Sequence, residues 1–188
     1  MAGSILGNRV LRKEDPKFLT TGGVYVDDLN SEPLLVGALH ATFVRSTVAH
    51  ANITSIDISD ALESPGVVAI YTAADLGLEP VAATFNPNAK RTLLASGKVR
   101  YVGEPVAVVL TKLANQGEDA AEKVIIDYDT LEVLIDIEQA MTSTTYIYEE
   151  CGSNVVFDST AIGMPDNTGE AMFADCEVVV KGRYVNQR

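Results

Sequence analysis

A Gly103-Glu104-Pro105 break divides the stretch Lys98 to Lys112, KVRYVGEPVAVVLTK, into two apolar runs. Proline has no backbone N–H and a fixed φ, so it is tolerated at the start of a strand and excluded from the middle of a central one. Glycine supplies the positive φ that a tight turn or bulge needs. The stretch therefore predicts two strand segments joined by a corner. A phosphate-binding loop is disfavoured, because such loops gather several N–H groups at a helix N-terminus.

Short strand-like segments recur along the rest of the chain. They are predicted from apolar or alternating runs in VYVDDL, PLLVGALHATFVRS (bent at Gly37), ANITSIDIS, GVVAIYT, VIIDYD, LEVLID and the C-terminal EVVVKGRYVN. Residues 79–92 have no clear period and are predicted to be an irregular loop.

Short helices separate these strands. One is predicted to begin at Ser59 or Asp60, one at Thr72 with an end near Gly77, and one at Asn115, where Glu118 has capping-box spacing. A further helix is predicted within EAMFADC. Strands interleaved with short helices indicate an α+β fold with a mixed sheet. The helices are too short for a doubly wound sheet, and neither GxGxxG nor GxxxxGK[ST] is present.

The chain has 188 residues, of which 47% are hydrophobic, so it is long and apolar enough to bury a core as one domain with an extension. It has no run of eighteen apolar residues, and its N-terminus lacks the apolar region of a signal peptide. We therefore expect a soluble, cytoplasmic protein.

Cysteine and histidine patterns give no sign of a metal site or a nucleophile. Cys151 and Cys176 lack CxxC spacing and are expected to be small buried hydrophobes. His40 and His50 form no HExxH arrangement, and no serine lies in a GxSxG elbow. The sequence thus offers no catalytic, cofactor-binding or metal-binding residues.

The negative charge lies mostly in the C-terminal half. Residues 1–100 contain nine Lys/Arg and ten Asp/Glu, whereas residues 101–188 contain five and sixteen. Nucleic acid is a poor partner for this surface, since phosphate binding needs a basic stripe. The acidic half is either a solvated face or a docking surface for another subunit.

Four successive stretches resemble one enzyme family. They are VLRKEDPKFLTTGGVYVDDL, LHATFVRSTVAHANITSIDISDALESPGVVAIYTAADL, LLASGKVRYVGEPVAVVLT and EDAAEKVIIDYDTLEVLID. Their order and spacing resemble the N-terminal part of the molybdenum-binding large subunit of the xanthine dehydrogenase, aldehyde oxidase and carbon monoxide dehydrogenase family, closest to the bacterial carbon monoxide dehydrogenase-like branch. The resemblance implies an α/β-hammerhead domain over residues 1–142, with an N-terminal arm. Residues 143–188 would then connect to the next domain.

The resemblance also implies cofactors and partners. The full-length subunit would hold molybdenum on molybdopterin cytosine dinucleotide, and partner subunits would hold 2Fe–2S clusters and FAD. The family's cofactor contacts lie beyond Arg188, so none is expected in this chain. The chain would pack against the remainder of the large subunit, the iron–sulfur small subunit and the FAD medium subunit.

Polar strand ends are the expected contacts with the iron–sulfur subunit: Arg45, Ser46, His50, Gly103 and Glu104. Arg45 and His50 could instead satisfy backbone carbonyls within the domain, and the Glu104 carboxylate is expected to be solvated at its corner. Apolar surface left uncovered predicts self-association, with an unpaired edge near Val178–Val180.

Two functions remain open at this point. The first is a structural fragment of a molybdenum hydroxylase that oxidises carbon monoxide, aldehydes or N-heterocycles with water as the oxygen source, without chemistry of its own. The second is a free-standing binding or assembly module with a hammerhead fold. A reading frame that continues past Arg188, or a neighbouring gene for the remainder, would favour the first.

Overall fold

The computed structural model describes residues 12–20, 22–23, 25–26, 29, 32–158 and 173–184, and it shows an α+β fold with short helices, as predicted. The described α-helices are α1 (Asp15–Thr20), α2 (Ser59–Leu62), α3 (Ala73–Leu76), α4 (Asn115–Ala121) and α5 (Ile137–Thr142). The strands are β1 (His40–Arg45), β2 (Ala51–Asp57), β3 (Val67–Thr72), β4 (Val81–Ala83), β5 (Asn86–Arg91), β6 (Lys98–Val99), β7 (Pro105–Thr111) and β8 (Ile125–Thr130). Two 3-10 helices lie at Pro33–Leu35 and Glu149–Cys151.

Three small sheets contain these strands. The first has the order β1-β7-β3, the second β6-β2-β8, and the third is the β4–β5 pair. In the second sheet β2 and β6 are antiparallel, with Ala51 opposite Val99. In the third, β4 and β5 are antiparallel with an irregularity between Ala82 and Ala83. The predicted strands ANITSIDIS, GVVAIYT and VIIDYD therefore correspond to β2, β3 and β8.

The chain divides into two compact units. The first comprises the chain up to Val44 together with Asp57–Ile70 and Val108–Ile125. Within it, α4 packs closely on a strand, because a Cβ placed on Gly117 would lie 2.0 Å from the Thr42 Oγ1. The Lys123 Nζ also donates to the Ser64 Oγ at 3.0 Å.

The second unit comprises Arg45–Ile56, Tyr71–Ala107 and the chain from Ile126 onward. Its core contains four buried aliphatic side chains, surrounded by partly buried hydrophobic ones. The four are Ala51, Ala95, Val99 and Val106, and their neighbours include Val48, Ile53, Ile56, Ile126 and Tyr128. Side chains from β2, β6, β7 and β8 thus share one core, which supports the candidate site below.

Local signals at α3 act as predicted from the sequence. Thr72 and Asp75 form a capping box in which the Asp75 carboxylate accepts from the Thr72 N–H and hydroxyl, both at 2.7 Å. These hydrogen bonds, the side-chain one first, hold the pKa of Asp75 below its usual value. Gly77 ends the helix in the left-handed conformation.

Two strand and loop predictions are wrong. The segment PLLVGALHATFVRS is not one bent strand, because Pro33–Leu35 forms a 3-10 helix and the strand starts only at His40. Gly37, at φ 79°, reverses the chain between them. Residues 79–92 are not irregular, since β4 and β5 pair there.

Further corrections concern helix capping and the later strands. Asn115 makes no capping hydrogen bond, and the Gln116 Oε1 instead accepts from the Leu113 N–H at 3.1 Å. LEVLID forms no strand, and the described residues 173–184 contain none either. The predicted VYVDDL strand and the start of the C-terminal helix fall largely outside the described residues.

Gly117→Ala is expected to destabilise the protein, although alanine normally favours a helix over glycine by about 1 kcal/mol. The added methyl would meet the Thr42 side chain, so we expect a net loss of about 1–3 kcal/mol in chemical denaturation. Thr42→Ala in the same protein should recover part of the loss.

The matched control for Gly117→Ala is Asp119→Ala, an exposed substitution on the same helix, with an expected change within about 0.5 kcal/mol. A Gly117→Ala protein as stable as the native chain would contradict the close packing of α4.

Candidate subunit interface

The corner between β6 and β7 is closed by both backbone and side-chain hydrogen bonds. The Glu104 N–H donates to the Tyr101 carbonyl at 3.2 Å, and the Glu104 carboxylate accepts from the Arg100 N–H at 2.5 Å. Gly103 has φ 91°, a conformation that side-chain-bearing residues rarely adopt. The predicted tight turn is confirmed, and Pro105 opens β7 as expected.

The Glu104 side chain is buried, with only 6% of the residue exposed. The expectation of a solvated carboxylate is therefore wrong. The residue lies next to a turn and reads as polar in sequence, but its carboxylate is turned inward to accept a backbone N–H. A carboxylate held in this way stabilises the turn through a charge-assisted hydrogen bond.

Residues 45 and 46, which follow the body of β1, hold the corner from the other side. The Gly103 N–H donates to the Ser46 carbonyl and the Ser46 N–H to the Glu104 carbonyl, both at 2.8 Å. The Arg45 Nη1 donates to the Gly103 carbonyl at 2.9 Å. Ser46 is buried, and its Oγ donates to the Val48 carbonyl at 2.7 Å. The structure thus brings four of the five predicted contact residues together.

His50, the fifth predicted contact residue, serves a different part of the unit. Its Nδ1 lies 2.7 Å from the Glu132 carbonyl oxygen, and its own carbonyl accepts from the Leu131 N–H at 2.9 Å. Since a carbonyl only accepts, Nδ1 must carry the proton. The buried Nε2 has no hydrogen-bond partner among the described residues. His50 therefore anchors the segment that follows β8, as the intradomain alternative for this residue expected.

Residues 147–149 also contact the turn, which the sequence analysis missed. The Arg100 Nε donates to the Ile147 carbonyl at 3.2 Å, and the guanidinium lies 5.0 Å from the centre of the Tyr148 ring. Lys98 forms an ion pair with Glu149 at 2.8 Å. The usable signal was the pairing of KVR beside the corner with YEE in an acidic half of the chain.

The tip of the turn exposes two apolar residues, Tyr101 at 48% and Val102 at 63%. The polar groups that surround them in sequence are used to fix the backbone, so the tip is held in one conformation. A rigid turn with an exposed aromatic and an aliphatic side chain is suited to bind another protein surface.

The described residues include no group of three His, Cys, Asp or Glu side chains that could hold a metal ion. Both cysteines are free; Cys176 is exposed and Cys151 half-buried, so the expectation that both are buried hydrophobes is wrong. In the described part of the chain, no helix is long and apolar enough to cross a membrane.

Comparison with known families gives one match. The model described as "Aldehyde oxidase and xanthine dehydrogenase, a/b hammerhead domain" matches residues 20–132. This range contains β1 to β8 and the whole corner.

Two curated relatives match along nearly all of the chain. The nicotine 6-hydroxylase large subunit of Paenarthrobacter nicotinovorans is 37% identical, over 96% of this chain and 22% of its own length. The carbon monoxide dehydrogenase large chain of Afipia carboxidovorans is 36% identical, over 97% of this chain and 24% of its own length. The chain thus spans about a quarter of these relatives.

Solved structures match the fold. A Cu,Mo-CO dehydrogenase has a TM-score of 0.60 and 41% identity, covering 72% of this chain and 17% of that one. The aldehyde oxidoreductase of Desulfovibrio gigas has a TM-score of 0.64 and 29% identity, covering 73% and 16%. The hammerhead fold expected from the sequence is the fold of the matched part of these enzymes.

Substitutions at the corner test its assignment as a buried, locked turn. Gly103→Val should cost about 1–3 kcal/mol, because valine is strained at a positive φ. Glu104→Ala should cost about 1–3 kcal/mol, because the Arg100 N–H loses its acceptor. Denaturant unfolding gives both values.

Glu79→Ala is the matched control for Glu104→Ala, because Glu79 is an exposed glutamate; its expected change is within about 0.5 kcal/mol. Equal stability of the Glu104→Ala and Glu79→Ala proteins would contradict the structural role of the buried carboxylate.

Glu149 is expected to titrate with a lowered pKa, first because Lys98 donates a hydrogen bond to it and then because of the Lys98 charge. The contact therefore contributes above the pKa of the unfolded chain and is lost as pH falls through the folded-state pKa. In an NMR titration, Lys98→Met should raise the Glu149 midpoint, whereas Lys90→Met should leave it unchanged. A midpoint insensitive to Lys98→Met would contradict this contact.

Proposed function

The chain belongs to the aldehyde oxidase and xanthine dehydrogenase family through its a/b hammerhead domain, and on that premise we propose that it is the N-terminal structural part of a molybdenum hydroxylase large subunit. The complete enzyme would oxidise carbon monoxide, an aldehyde or an N-heterocycle, with water as the oxygen source. This chain would contribute packing and an interface toward the iron–sulfur subunit, in the cytoplasm.

The locked corner is the observation that supports this role. Its tip exposes Tyr101 and Val102, while Glu104 and Ser46 are buried beneath the turn. Tyrosine is among the residues enriched at binding hot spots, and a surface ordered before binding loses less conformational entropy on association. A buried network that orders a solvent-exposed apolar turn is useful when that turn meets a partner.

The five predicted interface residues take different parts in this proposal. Arg45 and Gly103 are near the surface, so they would lie at the contact together with the tip. Ser46, Glu104 and His50 are buried, so they would position the contact without touching the partner. The aromatic ring of Tyr101 would supply most of the buried area.

The cofactors would be held elsewhere in the assembly. The large subunit would hold molybdenum on molybdopterin cytosine dinucleotide, and the partner subunits would hold 2Fe–2S clusters and FAD. The described residues do not fit a metal centre, because they contain no cluster of three metal-ligating side chains. We therefore assign no reaction step to this chain.

The domain boundary is proposed at residue 142. Residues 1–142 would form the hammerhead domain with its arm, and 143–188 would connect to the next domain. Support comes from the family match, which ends at residue 132, and from the described residues after Thr142, whose only helix is the 3-10 turn Glu149–Cys151. The Asn154 side chain fixes part of this connection by donating to the Ala140 and Thr145 carbonyls.

A chimera tests the interface in an intact enzyme. The chain would replace the matching segment of the Afipia carboxidovorans carbon monoxide dehydrogenase large chain, co-expressed with the iron–sulfur and FAD subunits. We expect the complex to assemble, and Tyr101→Asp with Val102→Asp to reduce co-purification of the iron–sulfur subunit by roughly tenfold or more.

Leu62→Asp with Val68→Asp is the control pair, since both residues are about half exposed and distant in sequence from the corner. Thermal melts of each isolated chain separate misfolding from loss of contact. The proposed interface would be rejected if the corner variants assembled as well as the controls, and the proposed function would be rejected if the unsubstituted chimera failed to assemble.

A further inference from the structure

Residues 80–103 form a basic segment in an acidic protein. They contain four of the fourteen Lys/Arg residues and none of the twenty-six Asp/Glu residues. Lys98 and Arg100 are used in the contacts with residues 147–149, whereas Lys90 and Arg91 lie exposed on β5. The β4–β5 hairpin is therefore a local positive surface.

A cavity of about 490 Å³ opens beside the hairpin. Its lining is largely aliphatic with one guanidinium, and it includes Val81, Ala83, Arg91, Leu93, Tyr148 and Val156. Two contacts hold the hairpin to the later segment: the Asn86 Nδ2 donates to the Val156 carbonyl at 3.1 Å, and the Phe85 and Phe157 rings lie 4.7 Å apart. The cavity is thus a defined surface feature with apolar walls and a cationic side.

The β4 strand leaves one edge open next to this cavity. In the described part of the chain, β4 pairs only with β5, and all three of its residues are exposed. An open strand edge presents N–H and C=O groups to which another chain can add as a further strand. Apolar side chains of an added strand would then reach the cavity.

The same chain carries a segment with the complementary chemistry. Val178, Val179 and Val180 are consecutive β-branched residues that favour strands, yet they belong to no strand and are 77%, 44% and 89% exposed. Asp175 and Glu177 precede them and bring two carboxylates. This segment combines β propensity, apolar side chains and negative charge.

We propose that the segment Glu177–Val180 of a second copy adds to the open edge of β4. Backbone hydrogen bonds form along β4, valine side chains enter the cavity, and the acidic residues approach Lys90 and Arg91. If two copies exchange segments reciprocally, the contact forms twice and the dimer is closed. The inference is independent of the proposed enzyme function, because both surfaces belong to this chain.

Sedimentation equilibrium of the 188-residue chain tests the association. Over roughly a hundredfold range of concentration at low salt, the mass should rise from 20.1 kDa toward twice that value. Val178→Lys with Val180→Lys should abolish the rise. Val36→Lys, a valine that is also 81% exposed, should leave it unchanged. A monomer at every concentration would overturn the proposal.

Charge reversal tests the orientation of the contact. Arg91→Glu and Glu177→Arg should each weaken the dimer by about tenfold, since each puts like charges together. An equimolar mixture of the two variants should restore it, because the mixed dimer pairs opposite charges at both contacts. Failure of the mixture to recover affinity would contradict the pairing of these two surfaces.

Hydrogen exchange separates strand addition from unspecific apolar association. At concentrations where the dimer forms, the backbone amides of residues 81–83 and 178–180 should both gain protection relative to the dilute monomer. Dimerisation without added protection at either segment would overturn the proposed strand pairing.

Discussion

The buried Glu104 carboxylate is the interaction on which the corner depends. A charged group removed from water is costly unless it is hydrogen-bonded, and this one accepts the Arg100 N–H at 2.5 Å. The bond fixes the turn between β6 and β7, two strands that contribute Val99 and Val106 to the same core. The residues after β1 then meet the turn through Ser46. Loss of the carboxylate would therefore loosen both the turn and the strands that it joins.

Features set by local chemistry were predictable from the sequence. The Gly103-Glu104-Pro105 corner, the Thr72 capping box and the Gly77 helix end each follow from a few neighbouring residues. The burial of Glu104 was not predictable in this way, because it depends on Ser46, far away in sequence. The β4–β5 hairpin was missed because β4 has only three residues and Asn-Pro-Asn interrupts any apolar alternation. LEVLID and the valines at 178–180 carry a strand pattern, but no described strand pairs with them.

The candidate site follows the same division. Chain proximity and polarity identified Arg45, Ser46, Gly103 and Glu104, which the structure brings together. The sequence did not reveal that the buried members support the exposed Tyr101 and Val102. Nor did it reveal the stacking of Arg100 on Tyr148, a contact across more than forty residues. Long-range contacts thus decide which residues of the corner face a partner and which hold it in place.

Amide hydrogen exchange at the corner tests the central claim, that a buried carboxylate locks a turn whose tip is exposed. The Arg100 and Gly103 amides, which donate to Glu104 and Ser46, should exchange as slowly as the amides of the β7 core residues Val106 and Val109. Glu104→Ala should accelerate Arg100 in particular. If the Arg100 and Gly103 amides of the native chain exchanged at the rates of an unstructured loop, the turn would not be locked and the account would be contradicted.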